Sequence, residues 1–117
     1  MQITQTQPTT FRAKVSDEVR SVIAKELLNA PSLRKNRNAV RQQYKNIESW
    51  GNKNSEIVLC ENQTSQKQLG VKYFFTPQRY VIKRIENLRN CSVIGKFLRL
   101  KEFDIVNTEI NIEKSLK

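Results

Sequence analysis

The chain has 117 residues, carries 21 Lys and Arg against 11 Asp and Glu, and has a formal charge of +10 with no histidine. That length accommodates one hydrophobic core. With only three Gly and three Pro, low-complexity, collagen-like and linker characters are excluded, and 38% hydrophobic residues point to a folded domain with a polar skin.

Residues 1–10 are rich in Gln and Thr and predict a disordered tail. The first eleven residues have neither a positive n-region nor an apolar h-region, so they do not read as a secretory signal. Phe11, Ala13 and Val15 alternate with Arg12 and Lys14, the pattern of a short half-buried strand. Ser16 then caps a helix whose first turn holds Asp17 and Glu18, where carboxylates suit the positive end of the helix dipole. Val19, Val22, Ile23 and Leu27 form its core face, and Pro31 ends it by Ala30.

A second helix is expected from the cap Ser32 to the stop Gly51. Leu33, Val40, Tyr44, Ile47 and Trp50 make one apolar stripe along it, while Arg34, Arg37, Arg41 and Lys45 make a second, rotated stripe of charge. Asn52–Ser55 reads as a turn. Ile57–Cys60 and the alternating Leu69, Val71, Tyr73 and Phe75 read as two strands, joined as a hairpin through 62–68.

Thr76-Pro77 carries the signature of a helix start, a hydroxyl followed by proline at the first position. Val81, Ile82, Ile85 and Leu88 would be its buried stripe and Asn90 its stop, with a strand over Tyr80–Ile85 as the competing reading. Between Val93 and Ile112 the pattern is strand-like, with Leu98 and Leu100 in one phase and Phe103 and Ile105 in the other, and a bulge or turn near Lys101-Glu102. Residues 114–117 are expected to fray. The expected fold is therefore a single α+β domain over 11–113, in the order β-α-α-β-β-α-β-β.

Without histidine the commonest general base and metal ligand is missing. There is no glycine-rich phosphate loop, no GxSxG and no paired-cysteine motif, so neither enzyme activity nor a cofactor or metal is expected. Asp104, Glu109 and Glu113 lie close in sequence but match no metal spacing. Cys60 and Cys91 read as buried thiols, with a disulfide as the alternative. The longest apolar run, Ile57–Cys60, is far too short to span a membrane, and a cytoplasmic location is expected.

The charge carries the functional expectation. A field of this sign draws in polyanions. Arginine forks match phosphate and the guanine edge, and a helix fits the major groove. Arg34, Arg37, Arg41 and Lys45 are the expected contacts, with Lys35 and Lys53 peripheral and amides from Asn36, Asn38, Gln42 and Gln43 available to adenine. A second basic stretch, Arg79 to Lys101, holds seven cations against the single acid Glu86. From it Arg79, Lys83, Arg99 and Lys101 would extend the patch. Tyr73, Phe74, Phe75 and Tyr80 could stack unpaired bases, although aromatics on strands usually fill cores.

Short helix, tight turn, basic helix and hairpin resemble, in order of elements, a winged helix-turn-helix. The expectation is a small protein binding duplex DNA in preference to RNA, in a regulatory or mobile-element accessory role, as a monomer or homodimer. The rival expectation is an adaptor or inhibitor docking on an acidic protein.

Overall fold

The computed structural model describes residues 12–61, 67–86 and 92–116. The expected tail 1–10, the hairpin residues 62–66 and the positions Arg89, Asn90 and Cys91 lie outside them.

Ser16 Oγ accepts from Val19 N at 3.2 Å and opens α1 (Asp17–Asn29), with Asp17 and Glu18 in the first turn as read from the sequence. Val19 and Ile23 are buried, and Val22 and Leu27 pack beside them. The next helix differs from its expectation. Pro31 starts a 3₁₀ segment (Pro31–Asn36) directly after Ala30, so Ser32 lies inside it rather than capping it. Only at Arg37 does α2 (Arg37–Glu48) begin. Pro fixes its own φ and has no N–H to offer, so it suits the first turn, and a tight 3₁₀ turn is a common lead into an α-helix. Trp50 and Ser49 close α2, and Gly51 follows at φ 68°. A Cβ there would sit 2.8 Å from Glu109 Oε2 and 2.9 Å from Ile105 Cγ2, so glycine is required both by conformation and by space.

Four strands form one sheet in the order β1-β2-β3-β4: β1 (Lys14–Val15), β2 (Ser55–Glu61), β3 (Lys67–Thr76) and β4 (Arg79–Arg84). β1 runs parallel to β2 and the remaining pairs are antiparallel. Opposite pairs Ile57↔Val71 and Leu59↔Leu69 put one phase of each strand on a common face. That face carries the helices: α1 packs on β2 and α2 on β1.

β4 replaces the helix expected from Thr76-Pro77. Thr76 Oγ1 does cap backbone donors, accepting from Gln78 N at 3.3 Å and Arg79 N at 3.1 Å, but it closes a two-residue turn. Thr76 pairs with Arg79 across that turn, and Tyr80, Val81 and Ile82 continue the ladder as the competing strand reading had them. The sequence signature is the same; the cross-strand partners Phe74 and Tyr73 decide the outcome.

The strands expected between 93 and 112 are instead α3 (Val93–Arg99) and α4 (Glu102–Lys114). Ser92 Oγ accepts from Gly95 N, and the Glu26 carboxylate of α1 accepts from Val93 N at 3.1 Å and Ile94 N at 2.9 Å. A carboxylate therefore satisfies the orphan donors at the positive end of α3. The break read as a bulge near Lys101 is the joint between the helices, where Asp104 Oδ2 accepts from Lys101 N. α3 covers β3, and α4 covers β3 and β4. Ile94, Phe97, Ile105 and Ile112 are buried in the same core cluster as Ile23, Ile47 and Ile57. The α+β class holds, with a helical pair leading into an antiparallel hairpin, and the closing elements run β-α-α.

Candidate nucleic-acid interface

Two polar ties anchor the inner side of α2 and of the sheet. Gln43 is buried and its Nε2 donates to Phe97 O and Leu100 O, both at 2.9 Å, closing the C-terminal end of α3 against α2. Glu109 is buried and accepts from Asn52 N at 2.7 Å and from the Ser55 hydroxyl. Tyr73 lies beside this cluster, and burial, with Glu113 and then Glu109 adding to it, raises its hydroxyl pKa. Asp104 and Glu109 are thus engaged in capping and turn closure. Among the described residues no three Asp, Glu or Cys side chains gather as metal ligands.

With Val40, Gln43 and Ile47 turned inward, helical geometry of about 100° per residue turns Arg37, Arg41 and Lys45 to the flank and out. All three are exposed, as are Arg34 and Lys35 on the preceding 3₁₀ segment. The flank they follow is the one facing α1, where Arg20 lies 4.2 Å from the Tyr44 ring centroid and 3.8 Å from the Glu48 carboxylate. Burial raises the Tyr44 pKa, against the pull of Arg20. That contact is the one ion pair among the described residues, and it involves none of the five ridge cations. Of the four amides expected to face bases, Gln43 is spent on α3 and Asn36 is half-buried; Asn38 and Gln42 remain exposed.

The second basic stretch does not join this ridge. Arg99 ends α3 and Lys101 precedes α4, both exposed beside the Gln43 flank of α2, away from Arg37 and Arg41. Arg79 and Lys83 lie on β4, at the sheet edge opposite β1, on which α2 packs. They do not stack at i, i+4 on a helix. Lys96 is 2% exposed and donates to Lys67 O at 2.7 Å, so it serves the fold.

The sheet presents a second chemical surface. The described helices lie on the face of Ile57, Leu69, Val71 and Tyr73. On the opposite face Phe74 and Tyr80 pair across the strands with ring centroids 5.6 Å apart, and Lys72 Nζ lies 5.2 Å from the first ring and 4.1 Å from the second. Tyr80 is 50% exposed and Ile82 46% exposed, with Arg84 exposed in the same phase. Of the aromatics considered for stacking, Tyr73 is core, while Phe74 and Tyr80 reach the open face. Arg84, counted in the second basic stretch, and Lys72 were not among the expected contacts, although the alternation along β3 sets Lys72 and Phe74 together on this face. Cys60, a free thiol, borders this face, and burial raises its pKa against the influence of Arg84.

Among the described residues no helix is long and apolar enough to cross a membrane. Compared with protein-family models, with curated proteins and with solved structures, the chain has no significant match, so its function must be read from the two surfaces themselves.

Proposed function

We propose that the protein binds nucleic acid, with duplex DNA lying across the ridge of Arg34, Lys35, Arg37, Arg41 and Lys45. The observation that carries this reading is that all five cations are exposed on one helical run whose other side is fixed by Val40, Gln43 and Ile47. A cation held on a rigid helix loses less freedom on meeting a phosphate than one on a loop. Arginine can also take phosphate in a bidentate fork. Arg99 and Lys101, on the other flank of α2, and Arg79 and Lys83, across the sheet, lie outside this contact. The size and charge suit a DNA-bound regulatory or accessory role.

Fluorescence anisotropy with a random-sequence duplex tests the proposal. If about five or six phosphates are neutralised, log affinity falls against log salt with a slope near −5. Absent binding, or binding insensitive to salt, overturns it. Capture of partners from lysate with and without nuclease separates the rival: an acidic protein partner survives digestion, a DNA-mediated one does not.

A further inference from the structure

The open face of the sheet is chemically unlike the ridge. It places the rings of Phe74 and Tyr80, the aliphatic Ile82 and Val58, and the cations Lys14, Lys72 and Arg84 on one side of the sheet, with Tyr80 and Ile82 about half exposed and Val58 buried. We infer that this face is a second nucleic-acid site, one that takes single-stranded DNA by stacking an unpaired base on Tyr80 and Phe74 while Lys72 and Arg84 meet the flanking phosphates. Choosing DNA over RNA rests on the reading of the ridge as a DNA site; the platform itself does not.

The chemistry favours this occupant over the other ways to cover an apolar sheet face. A second copy packed face to face would set Lys14, Lys72 and Arg84 of each copy among those of the other, three cations against the two acids of that side, Glu56 and Glu86. Like charges desolvated together oppose that contact. An unpaired strand instead offers both parts at once: π-faces for the rings and one phosphate per nucleotide for the cations. The Lys72 ammonium sits over both rings, a cation held against π-density. When a base covers Tyr80, that ammonium is free to swing to the phosphate beside it. Duplex DNA cannot use this face, because its bases are stacked within the helix and present no free π-surface.

The two sites lie on different layers, so they can be broken separately. Binding of oligo(dT), oligo(U) and a blunt duplex is measured for the unaltered protein, for Tyr80→Ala, for Tyr80→Trp and for the ridge double variant Arg37→Glu/Arg41→Glu. Tyr80→Ala is expected to weaken oligo(dT) by about 5- to 100-fold, the range for losing one stacked base, while leaving duplex affinity unchanged. Tyr80→Trp, which keeps an aromatic face at this position, is expected to retain oligo(dT) binding. The ridge variant is expected to lose duplex binding and keep most oligo(dT) binding. Loss of duplex binding alone therefore tests the ridge, and loss of oligo(dT) binding alone tests the platform. Unchanged oligo(dT) affinity in Tyr80→Ala, equal loss of both ligands, or a preference for oligo(U) over oligo(dT) overturns the inference. Circular dichroism of Tyr80→Ala verifies folding, and Lys72→Ala, expected to weaken oligo(dT) with a reduced salt slope, decides the matter should that variant not fold.

Discussion

The two cationic surfaces differ in what surrounds the charge. On α2 it is Arg20 of α1, and no ridge arginine among the described residues, that lies over the Tyr44 ring, and the inward groups Val40, Gln43 and Ile47 orient the ridge. On the sheet, the Lys72 ammonium lies over the paired rings of Phe74 and Tyr80, so charge and π-surface come together. The first arrangement suits a ligand that shows only phosphate; the second suits one that also shows bases. Net charge treats the two alike, and local geometry separates them.

The strongest way to break this comparison is to remove the core that both surfaces share. Phe97 is fully buried and its ring packs 5.0 Å from that of Tyr44. Phe97→Ala should cost about 3–5 kcal/mol, read by chemical denaturation, and should abolish both binding activities together. Loss of one activity alone would show that the surfaces are not coupled through this packing. Next, Arg37→Glu/Arg41→Glu should lower duplex affinity by roughly 50-fold at moderate salt and make the salt slope about 2 units shallower, with stability little changed. Gly51→Ala, strained at φ 68° and crowded by Glu109 and Ile105, should cost about 1–3 kcal/mol in a thermal melt without touching either surface.

The smallest effect is alkaline. Burial raises the hydroxyl pKa values of Tyr44 and Tyr73 in the folded state. The folded chain then keeps protons that the unfolded chain releases, so the stabilisation is full below the ordinary tyrosine range and fades as pH climbs through the raised values. Tyr44 lies under the ridge and Tyr73 under the sheet. Replacing each by Phe should flatten the alkaline decline in separate steps, followed by denaturation at a series of high pH values.

Much of the first half of the molecule was legible in the sequence because several signals agreed. Ser16, Asp17, Val19 and Ile23 all pointed to the same helix, and Gly51 marked the turn where the structure needs it. The outward direction of Arg37, Arg41 and Lys45 followed from the spacing of Val40 and Ile47. Past Thr76 the local signals conflicted. Thr76-Pro77 looks alike as a helix cap and as a hairpin turn, and only the pairing of Tyr80 with Phe74, contributed by another strand, distinguishes them. In α4 the inward positions include Thr108 and Glu109 beside Ile105 and Ile112, so half of the buried stripe was polar and hid the helical period. Many β-branched residues between 93 and 112 then favoured strands by propensity, and tertiary packing overrode them. The Lys72-Phe74 half of the open face was legible in the alternation along β3; the Tyr80-Ile82 half was not, since it exists only once β4 is a strand.

Gln43 grips α3 through an amide, which neither titrates nor feels added salt as a charged pair would. On the proposed reading, raising the ionic strength should weaken a phosphate contact at the ridge arginines without loosening this tie. A salt titration leaves the Gln43 tie in place while it screens the Arg20–Glu48 pair on the flank of α2.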